Sequence, residues 1–542
     1  MGIDRRFDND GKHLVSVSFV TRHSRFLSAG IYAICALIPI ASGLVGASPV
    51  VRTRFLGDDL ETWTAFNRGD YPRSFQQSLT FAGIDKWRPL NSLAMQPILR
   101  LFGDDYRSYW YFTWLLLLLL GAVVFVAMEL LFRPKLRWSI LGVSLGISAI
   151  IASPLAFMAR SGIYGFLEIA PVTLCVLSYL FFDHASNVRS RLPIIYSSLL
   201  ALSAGLVHER FFIFSVAMSL ISASRGRQLS QYRGMWLAFF FNVFFYIYTS
   251  VVVLGVNVLK GGGADSFEET KGWWIIVHLL FSVLHLFGGA RAETTFFESE
   301  APRALYQGLA LRDEYNLLMP FIFLVVLATL FTYACFLKRF RNQNLITGSN
   351  LSNSTTNTQR RKLIELAWIS IWMLVPAATV NSRIESRWLF ASWTFAVMVI
   401  IATSFHPDRV VRFFGYGLLV LMLSVSLTGK SSFNEYDWWR IRTNQVLKTI
   451  ERLAPKAGYW EVAIVVPNYP DENNSVVWWG LNYGRALTEY LDNAPNGIYF
   501  GRSDVMKFCK RPCLELVVVD DPSKGQEVDQ AKNQMISFRW LD

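Results

Sequence analysis

Residues 112–132, with the sequence FTWLLLLLLGAVVFVAMELLF, form the apolar run that decides the class of this protein. Glu129 is the one charged side chain in the run. A helix that crosses the hydrocarbon core of a bilayer needs about 20 mainly apolar residues. We therefore expect a transmembrane helix here.

The rest of the chain supports a membrane protein of many spans. Of the 542 residues, 53% are hydrophobic, 15% aromatic and only 17% charged, which lies outside the range of soluble globular domains. We expect an α-helical polytopic membrane domain over 1–428. Its eleven candidate spans are 27–47, 112–132, 139–158, 165–182, 193–207, 211–223, 236–258, 317–337, 364–381, 388–404 and 410–428.

The loops between these spans predict an orientation. Basic residues concentrate in alternate loops, which we assign to the cytoplasm together with the N-terminus. The same rule accounts for the net charge of +12, so no nucleic-acid partner is expected. We read 273–289 as an in-plane helix on the outer face and 338–362 as a flexible cytoplasmic loop. The outer segments are 48–111, 159–164, 208–210, 259–316, 382–387 and everything after 428.

The composition changes after residue 428 to that of a soluble domain. Apolar runs at 462–466 and 514–519 predict strands, and the patterns at 440–453 and 479–492 predict helices. We expect residues 429–542 to form a small α/β domain on the outer, periplasmic face. Cys509 and Cys513 form a disulfide if that side is oxidising, and a pair of reduced thiols is the alternative.

An acidic pair lies in the first outer loop, in Gly57-Asp58-Asp59-Leu60. One interpretation is an N-cap for an amphipathic helix that carries Leu60, Trp63 and Phe66. The other is chemical, because a carboxylate held at a helix start can act as a base or a ligand. The two interpretations are compatible.

His208-Glu209-Arg210 interrupts a run that is otherwise apolar from about 194 to 222. Three consecutive ionisable residues between two spans are functional candidates, because they must face protein or water. The alternative is a hairpin tip that reaches the membrane surface. Glu168, near the outer end of its span, accepts a hydrogen bond in the bundle or contacts a substrate; the sequence does not separate the two.

Two further outer segments carry cations. Arg383, Glu385 and Arg387 form a short loop where the distribution of basic residues disfavours arginine, and Asp85, Lys86 and Arg88 precede Pro89 in the first loop. Arginine suits bidentate recognition of phosphate, so these segments are candidates for binding a lipid phosphate. Solvated surface clusters are the alternative.

Together these motifs resemble the GT-C class of membrane glycosyltransferases. The resemblance rests on the acidic pair, on Asp85-Lys86-Trp87-Arg88-Pro89-Leu90, on the His-Glu turn and on Arg387-Trp388-Leu389-Phe390, and it covers about 50–430. The groups most similar in plan are protein O-mannosyltransferases, aminoarabinose transferases and bacterial glucosyltransferases that decorate O-antigen. Relatives have Glu-Lys-Pro where this chain has Asp-Lys-Trp-Arg-Pro, which puts the role of Asp85 in doubt.

The resemblance implies a polyprenyl-phosphate sugar as donor and an acceptor hydroxyl on an envelope glycan or glycolipid, such as lipopolysaccharide. Asp58 or Asp59, with Asp58 preferred, would be the general base. Lys86, Arg88, Arg383 or Arg387 would stabilise the leaving lipid phosphate, with or without a divalent cation such as Mg²⁺ or Mn²⁺. No metal ligand is assigned.

Three other functions stay open at this point. Within the enzyme class, the chain could join glycan repeat units as a polymerase. A transporter or flippase of lipid-linked sugars would line a central path with its charges, and such proteins often have repeated halves, which we do not find. A non-catalytic envelope scaffold is the third alternative.

Overall fold

The computed structural model describes most of the predicted helical regions and parts of the C-terminal region. The residues it describes are 37, 55, 58–80, 82–83, 86–132, 139–153, 163, 165–187, 192–226, 235–255, 350–376, 386–406, 408–428, 443–465, 481, 484–501, 506–518 and 536–541. The predicted spans at 27–47 and 317–337 and the predicted in-plane helix at 273–289 lie outside these ranges, apart from Leu37, which is helical.

The described part of the chain is mostly helical, as the apolar runs predict. Three helices are long and apolar enough to cross a membrane, over Tyr106–Phe132, Gly165–Ala185 and Met235–Val253. The apolar helices of the bundle are α4 (Tyr106–Phe132), α5 (Ser139–Ile151), α6 (Gly165–Asn187), α7 (Leu192–Val207), α8 (Phe212–Gly226), α9 (Met235–Ile247, continued by a π-helical turn over Tyr248–Val253), α10 (Asn350–Trp372), α11 (Ser386–Ser404) and α12 (Arg409–Thr428).

Small hydroxyl residues hold two of the helix pairs together. The Ser178 hydroxyl donates to the Ser197 carbonyl and the Ser197 hydroxyl to the Ser178 carbonyl, both at 2.7 Å, between α6 and α7. Ser370 and Ser392 repeat this exchange between α10 and α11 at 2.8 and 2.7 Å. Small residues allow helices to approach closely where hydrophobic burial against lipid supplies little driving force. These pairs fix the packing register of the bundle.

The helix α10 corrects one prediction. The stretch 338–362 reads as a flexible loop, but residues from Asn350 onward are helical. Its polar half is stabilised by tertiary contacts, since Lys362 Nζ donates to the Leu131 carbonyl at 2.7 Å and Gln359 to the Phe132 carbonyl at 3.3 Å. Packing against the end of α4 therefore accompanies a helix in a segment whose composition, rich in Asn, Ser and Thr, disfavours one.

Three short helices and a hairpin precede the bundle. They are α1 (Asp58–Arg68), α2 (Phe75–Thr80), the hairpin of β1 (Ala82–Gly83) and β2 (Lys86–Trp87), and α3 (Pro89–Phe102). The first helix begins at the acidic pair and buries Leu60 fully. Pro89 opens α3 in the position where a helix lacks a partner for its first N–H groups.

The C-terminal region forms a four-stranded mixed sheet in the order β4-β3-β5-β6. The strands β3, β4 and β5 are parallel, and β6 is antiparallel to β5. The predicted strands are confirmed with small shifts of their ends. The elements are a helix α13 over 443–453, β3 (Glu461–Val465), α14 (Arg485–Tyr490), β4 (Gly497–Gly501), β5 (Cys513–Val518) and β6 (Ile536–Leu541).

This sheet shares a hydrophobic core with the segment before the bundle. Val462, Ile464 and Leu514 belong to one buried cluster with Leu60 and Leu99. The Tyr490 hydroxyl lies 3.1 Å from both the N–H and the carbonyl of Phe55, and Arg68 donates to Glu489 at 2.5 Å. The C-terminal region is therefore seated on α1 and α3.

Candidate functional site

Among the described residues, several of the polar side chains singled out from the sequence gather at one end of the helical bundle. We call it the first-loop end, defined by the start of α4 at Tyr106, the start of α6 at Gly165 and the turn between Val207 and Phe212. The Phe112 and Phe166 rings stack at 6.5 Å there, which brings the first turns of α4 and α6 together. The opposite end contains Phe132 and Gly226.

Arg88 and Glu209 form the central ion pair of this end. Arg88 Nε donates to Glu209 Oε2 at 2.5 Å and Arg88 Nη2 to Oε1 at 2.6 Å. This fork-to-fork geometry is the strongest arrangement available to a carboxylate and a guanidinium. The pair ties the hairpin and the start of α3 to the turn between α7 and α8.

His208 completes the coordination of this pair. Its Nδ1 lies 3.2 Å from Glu209 Oε2, and its Nε2 lies 3.4 Å from Arg88 Nη2. A neutral imidazole with its proton on Nδ1 would satisfy both contacts. Burial opposes ionisation of Glu209, but the charge of Arg88 and the hydrogen bonds from Arg88 and His208 outweigh it and hold the pKa of this carboxyl well below its usual range.

Arg210 pairs in the other direction, with Glu168 in the first turn of α6. Glu168 is only 2% exposed and would be costly to bury without a cation. The sequence left open whether this carboxylate serves the bundle or a substrate, and the structure places it in an ion pair within the protein. The three-residue turn thus joins α6, α3 and the α7–α8 hairpin.

The acidic pair occupies the start of α1. Asp59 is 3% exposed and accepts a hydrogen bond from the Tyr106 hydroxyl at 3.1 Å, so its carboxylate is directed at the first residue of α4. Asp58 is the first residue of the helix, and its side chain lies outside the described part of the structure.

The other predicted site residues are described less fully. Lys86 belongs to β2 and Arg387 to the first turn of α11, but the structure describes only their backbone. Asp85, Arg383 and Glu385 lie outside the described residues. Of the predicted residues whose side chains are described, the structure brings together Arg88, His208, Glu209 and Arg210.

An aromatic group beside the ion pair escaped the sequence analysis. Tyr246 on α9 stacks with Phe212 at 4.2 Å and with Trp87 at 5.9 Å, and all three are buried. Trp87 also donates from Nε1 to the Leu79 carbonyl at 2.8 Å. The sequence signal was weak, because aromatic residues are frequent in every span. This group fixes Trp87, and hence Arg88, against α8 and α9.

Tyr71 is a second residue that the sequence did not indicate. Burial raises its pKa to about 12, and a hydrogen bond with Ser92 and the charge of Arg88 partly oppose this effect. Tyr71 therefore stays protonated near Arg88 over the physiological pH range.

The opposite end of the bundle contains a buried ionic cluster that sequence analysis also missed. Arg225 on α8 donates from Nε to Glu365 on α10 at 2.7 Å and lies 3.4 Å from Asp183 on α6. Lys362 Nζ lies 2.7 Å from Asp183, and the Tyr179 hydroxyl donates to Glu365 at 2.9 Å. Two buried cations thus face two buried carboxylates, and the partly exposed Arg361 lies 3.8 Å from Glu365 at the edge of the cluster. The side chains come from segments far apart in sequence, so their convergence is not visible in the sequence.

The described residues offer no group of three or more His, Cys, Asp or Glu side chains that could hold a metal ion. Of the described carboxylates at the first-loop end, Glu168 and Glu209 pair with arginine side chains and Asp59 accepts from a tyrosine hydroxyl. We assign no ligand set for the divalent cation that the resemblance allows.

Comparison with known proteins supplies no identity for this chain. No protein-family model matches the sequence, and no curated protein matches it significantly.

Proposed function

We propose that this chain is a membrane glycosyltransferase that moves a sugar from a polyprenyl-phosphate donor to an acceptor hydroxyl at the first-loop end. One observation carries the proposal. Charged residues from α1, the β2–α3 segment, the start of α6 and the α7–α8 turn meet at a single end of an apolar bundle. The sugar-phosphate headgroup of such a donor lies at the membrane surface, so the groups that bind it must lie at an end of the helices.

We assign different roles to the two residues of the acidic pair. Asp59 is committed to Tyr106 and positions the start of α1. Asp58, the neighbouring residue, is then the general base. The acceptor oxygen attacks the anomeric carbon while its proton passes to the Asp58 carboxylate, and the bond between that carbon and the lipid phosphate oxygen breaks. The lipid phosphate leaves with the bonding electron pair.

We also assign different roles to the cations, according to whether each pairs with a carboxylate. Arg88 and Arg210 are each paired with a carboxylate, so they position the site instead of meeting the phosphate directly. Lys86, Arg383 and Arg387 are the residues that we assign to the leaving phosphate. Arg88 lies two residues after Lys86, and its ion pair with Glu209 holds that segment in place.

Single replacements of the acidic pair test this proposal. In membranes supplied with a radiolabelled polyprenyl-phosphate sugar and an envelope-glycan acceptor, Asp58→Asn should lower transfer by about 10²-fold or more. Asp70→Asn is the matched control, because Asp70 is an exposed carboxylate of the same loop region. Undiminished transfer by Asp58→Asn would overturn the assignment of Asp58 as general base, whatever the effect of Asp59→Asn.

The orientation of the chain is part of the proposal and has its own test. We place the first-loop end and the C-terminal sheet outside the cytoplasm, and the Cys509–Cys513 disulfide supports an oxidising compartment for that sheet. In a background with Cys35, Cys175 and Cys335 replaced by Ser, a membrane-impermeant maleimide should label Lys448→Cys in intact cells and spare His184→Cys. The reverse result would invert the orientation.

A transporter of lipid-linked sugars is the second candidate. The observation that favours it is the presence of ion pairs at both ends of the bundle, Arg88–Glu209 at one and Arg225–Glu365 at the other. Such layers could act as alternating gates. Proteoliposomes that move the lipid-linked sugar between leaflets without any acceptor would favour this candidate over transfer.

A further inference from the structure

A short loop of the C-terminal sheet presents cations and an aromatic ring on a rigid frame. A disulfide between Cys509 and Cys513 closes it at the start of β5. Lys507 and Lys510 are exposed, and the Phe508 ring is 64% exposed. A large apolar side chain and two cations held outward on a crosslinked loop are typical of a binding surface.

A buried carboxylate holds this loop from below. Glu461 at the start of β3 accepts hydrogen bonds from the Lys510 backbone N–H and from the Tyr459 hydroxyl, and a side-chain hydrogen bond also joins it to Tyr499. Burial raises the pKa of Glu461, but these donors outweigh it and lower that pKa below its usual value. One ionised carboxylate therefore fixes both the loop backbone and two tyrosine rings.

Gly497 provides the space for this carboxylate. A Cβ atom at Gly497 would lie 3.0 Å from Glu461 Cδ and 3.0 Å from the Tyr499 ring. The Tyr459 ring, which Glu461 anchors through its hydroxyl, is half exposed. We call Tyr459, Lys507, Phe508 and Lys510 the disulfide-loop patch.

The patch lies on the sheet face turned away from the helices before the bundle. Side chains alternate along a strand, and Val462 and Ile464 point into the core shared with α1 and α3. Glu461 and Ala463 therefore belong to the other face, where Ala463 packs with Cys513 and Cys509. This face is therefore separate from the one that packs against α1 and α3.

We propose that the disulfide-loop patch binds an acidic glycan, with Lys507 and Lys510 contacting its carboxylate or phosphate groups and Phe508 and Tyr459 packing against the apolar faces of its sugar rings. This deepens the proposed function, on which it rests, by naming a class of acceptor: a negatively charged polysaccharide that the C-terminal sheet would retain near the first-loop end. Charge-assisted hydrogen bonds provide the strength, and the fixed rings reduce the entropic cost of binding.

Direct binding tests this inference without any transfer reaction. The full chain in nanodiscs of phosphatidylcholine would be titrated with a fluorescent hexasaccharide of galacturonic acid. We expect Lys510→Ser to weaken binding about tenfold, equivalent to the loss of one charge-assisted hydrogen bond, and Phe508→Ala to weaken it as well. Maltohexaose, a neutral chain of equal length, should bind at least tenfold more weakly than the acidic probe.

Lys448→Ser is the matched control, since Lys448 is an exposed lysine on α13 of the same region and should be dispensable. Equal binding of the acidic probe by wild type and Lys510→Ser, or no preference over maltohexaose, would overturn the inference. Competition by phosphatidylglycerol vesicles that depends on Lys510 would also overturn it, because the patch would then be a membrane contact.

The same titration on Asp58→Asn protein separates the two proposals. Binding retained in a variant that has lost transfer supports both proposals. If the wild type transfers sugar but does not bind the acidic probe, the proposal of a glycan-binding surface is wrong and the proposed reaction is unaffected.

Discussion

Arg88 and Glu209 are 121 positions apart in the chain and meet through two hydrogen bonds of 2.5 and 2.6 Å. Each side chain is largely but not fully shielded from solvent. Arg210, the next residue, pairs with Glu168 on another helix. Two adjacent residues of opposite charge therefore connect three separate parts of the fold, and the segment that carries Lys86 is held by this connection.

Replacement of Arg88 should reveal its role through geometry as well as charge. We expect Arg88→Gln to lower the free energy of unfolding by about 1.5–3 kcal/mol, because it leaves the Glu209 carboxylate without its cation. Arg88→Lys keeps the charge but loses the fork, so it should recover only part of the stability and of the transfer rate. Thermal unfolding in detergent and the transfer assay measure the two effects. Arg107→Gln, at an exposed arginine in the first turn of α4, should change neither, and equal stability of Arg88→Gln and wild type would contradict the prediction.

Stability should depend on pH through Glu209 in a defined direction. Its folded-state pKa lies well below the unfolded value of about 4.3, so the pair contributes fully above that value. The contribution is lost as the pH falls from the unfolded pKa through the folded one. The difference in unfolding free energy between wild type and Glu209→Gln should thus stay constant from pH 7 to about 5 and shrink below about 4.3. A difference that already shrinks between pH 7 and 6 would assign the titration to another group, such as His208.

Asp59 and Tyr106 should behave as one unit. Because the Tyr106 hydroxyl donates to Asp59, Asp59→Ala and Tyr106→Phe each remove the same contact. We expect the double variant to be no less active than the weaker single variant, within about twofold, since coupled residues are not additive. Asp58→Asn combined with Tyr106→Phe should instead give the full loss of Asp58→Asn. Transfer rates of the four variants complete the cycle, and strictly additive losses for Asp59 and Tyr106 would show independent roles.

The apolar runs predicted nearly all helices of the described bundle because lipid imposes a simple rule of length and composition. They failed at 350–362, where polar residues form a helix only because Lys362 and Gln359 reach the end of α4. The charged turn at 208–210 was identifiable because charges in an apolar run are costly. Its partners were not identifiable, since pairing between Arg210 and Glu168 depends on how α6 and α8 pack.

The ionic cluster at the opposite end shows the same limit. Asp183, Lys362 and Glu365 each lie near a predicted span end, where a charge usually reaches water and signals nothing. Their convergence on Arg225 exists only in three dimensions. Single-sequence patterns record where a charge is tolerated, and tertiary packing decides which charge it meets.

The same cluster yields a stability prediction. Arg225 is buried between two carboxylates, so Arg225→Gln should lower the free energy of unfolding by about 3–5 kcal/mol by leaving uncompensated buried charges. Removing Glu365 as well, in Arg225→Gln/Glu365→Gln, should recover part of that loss. Thermal unfolding in detergent measures both. Arg409→Gln, an exposed arginine of α12, is the control, and a loss in the double variant as large as the sum of the two single losses would argue against coupling.

The two glycines of α12 provide a matched test of helix packing. A Cβ atom at Gly415 would lie 2.6 Å from the Ser404 backbone nitrogen and 2.9 Å from the Thr403 carbonyl carbon, and backbone cannot move aside cheaply. A Cβ atom at Gly417 would meet nothing within 4 Å. Gly415→Ala should therefore separate α11 from α12 and lower the free energy of unfolding by about 1–3 kcal/mol. Gly417→Ala should be neutral or stabilising by up to about 1 kcal/mol, because alanine favours helix.

Thermal unfolding of the two variants in the same detergent tests this prediction. Equal stability of Gly415→Ala and Gly417→Ala would mean that the close approach of α12 to Ser404 does not stabilise the bundle.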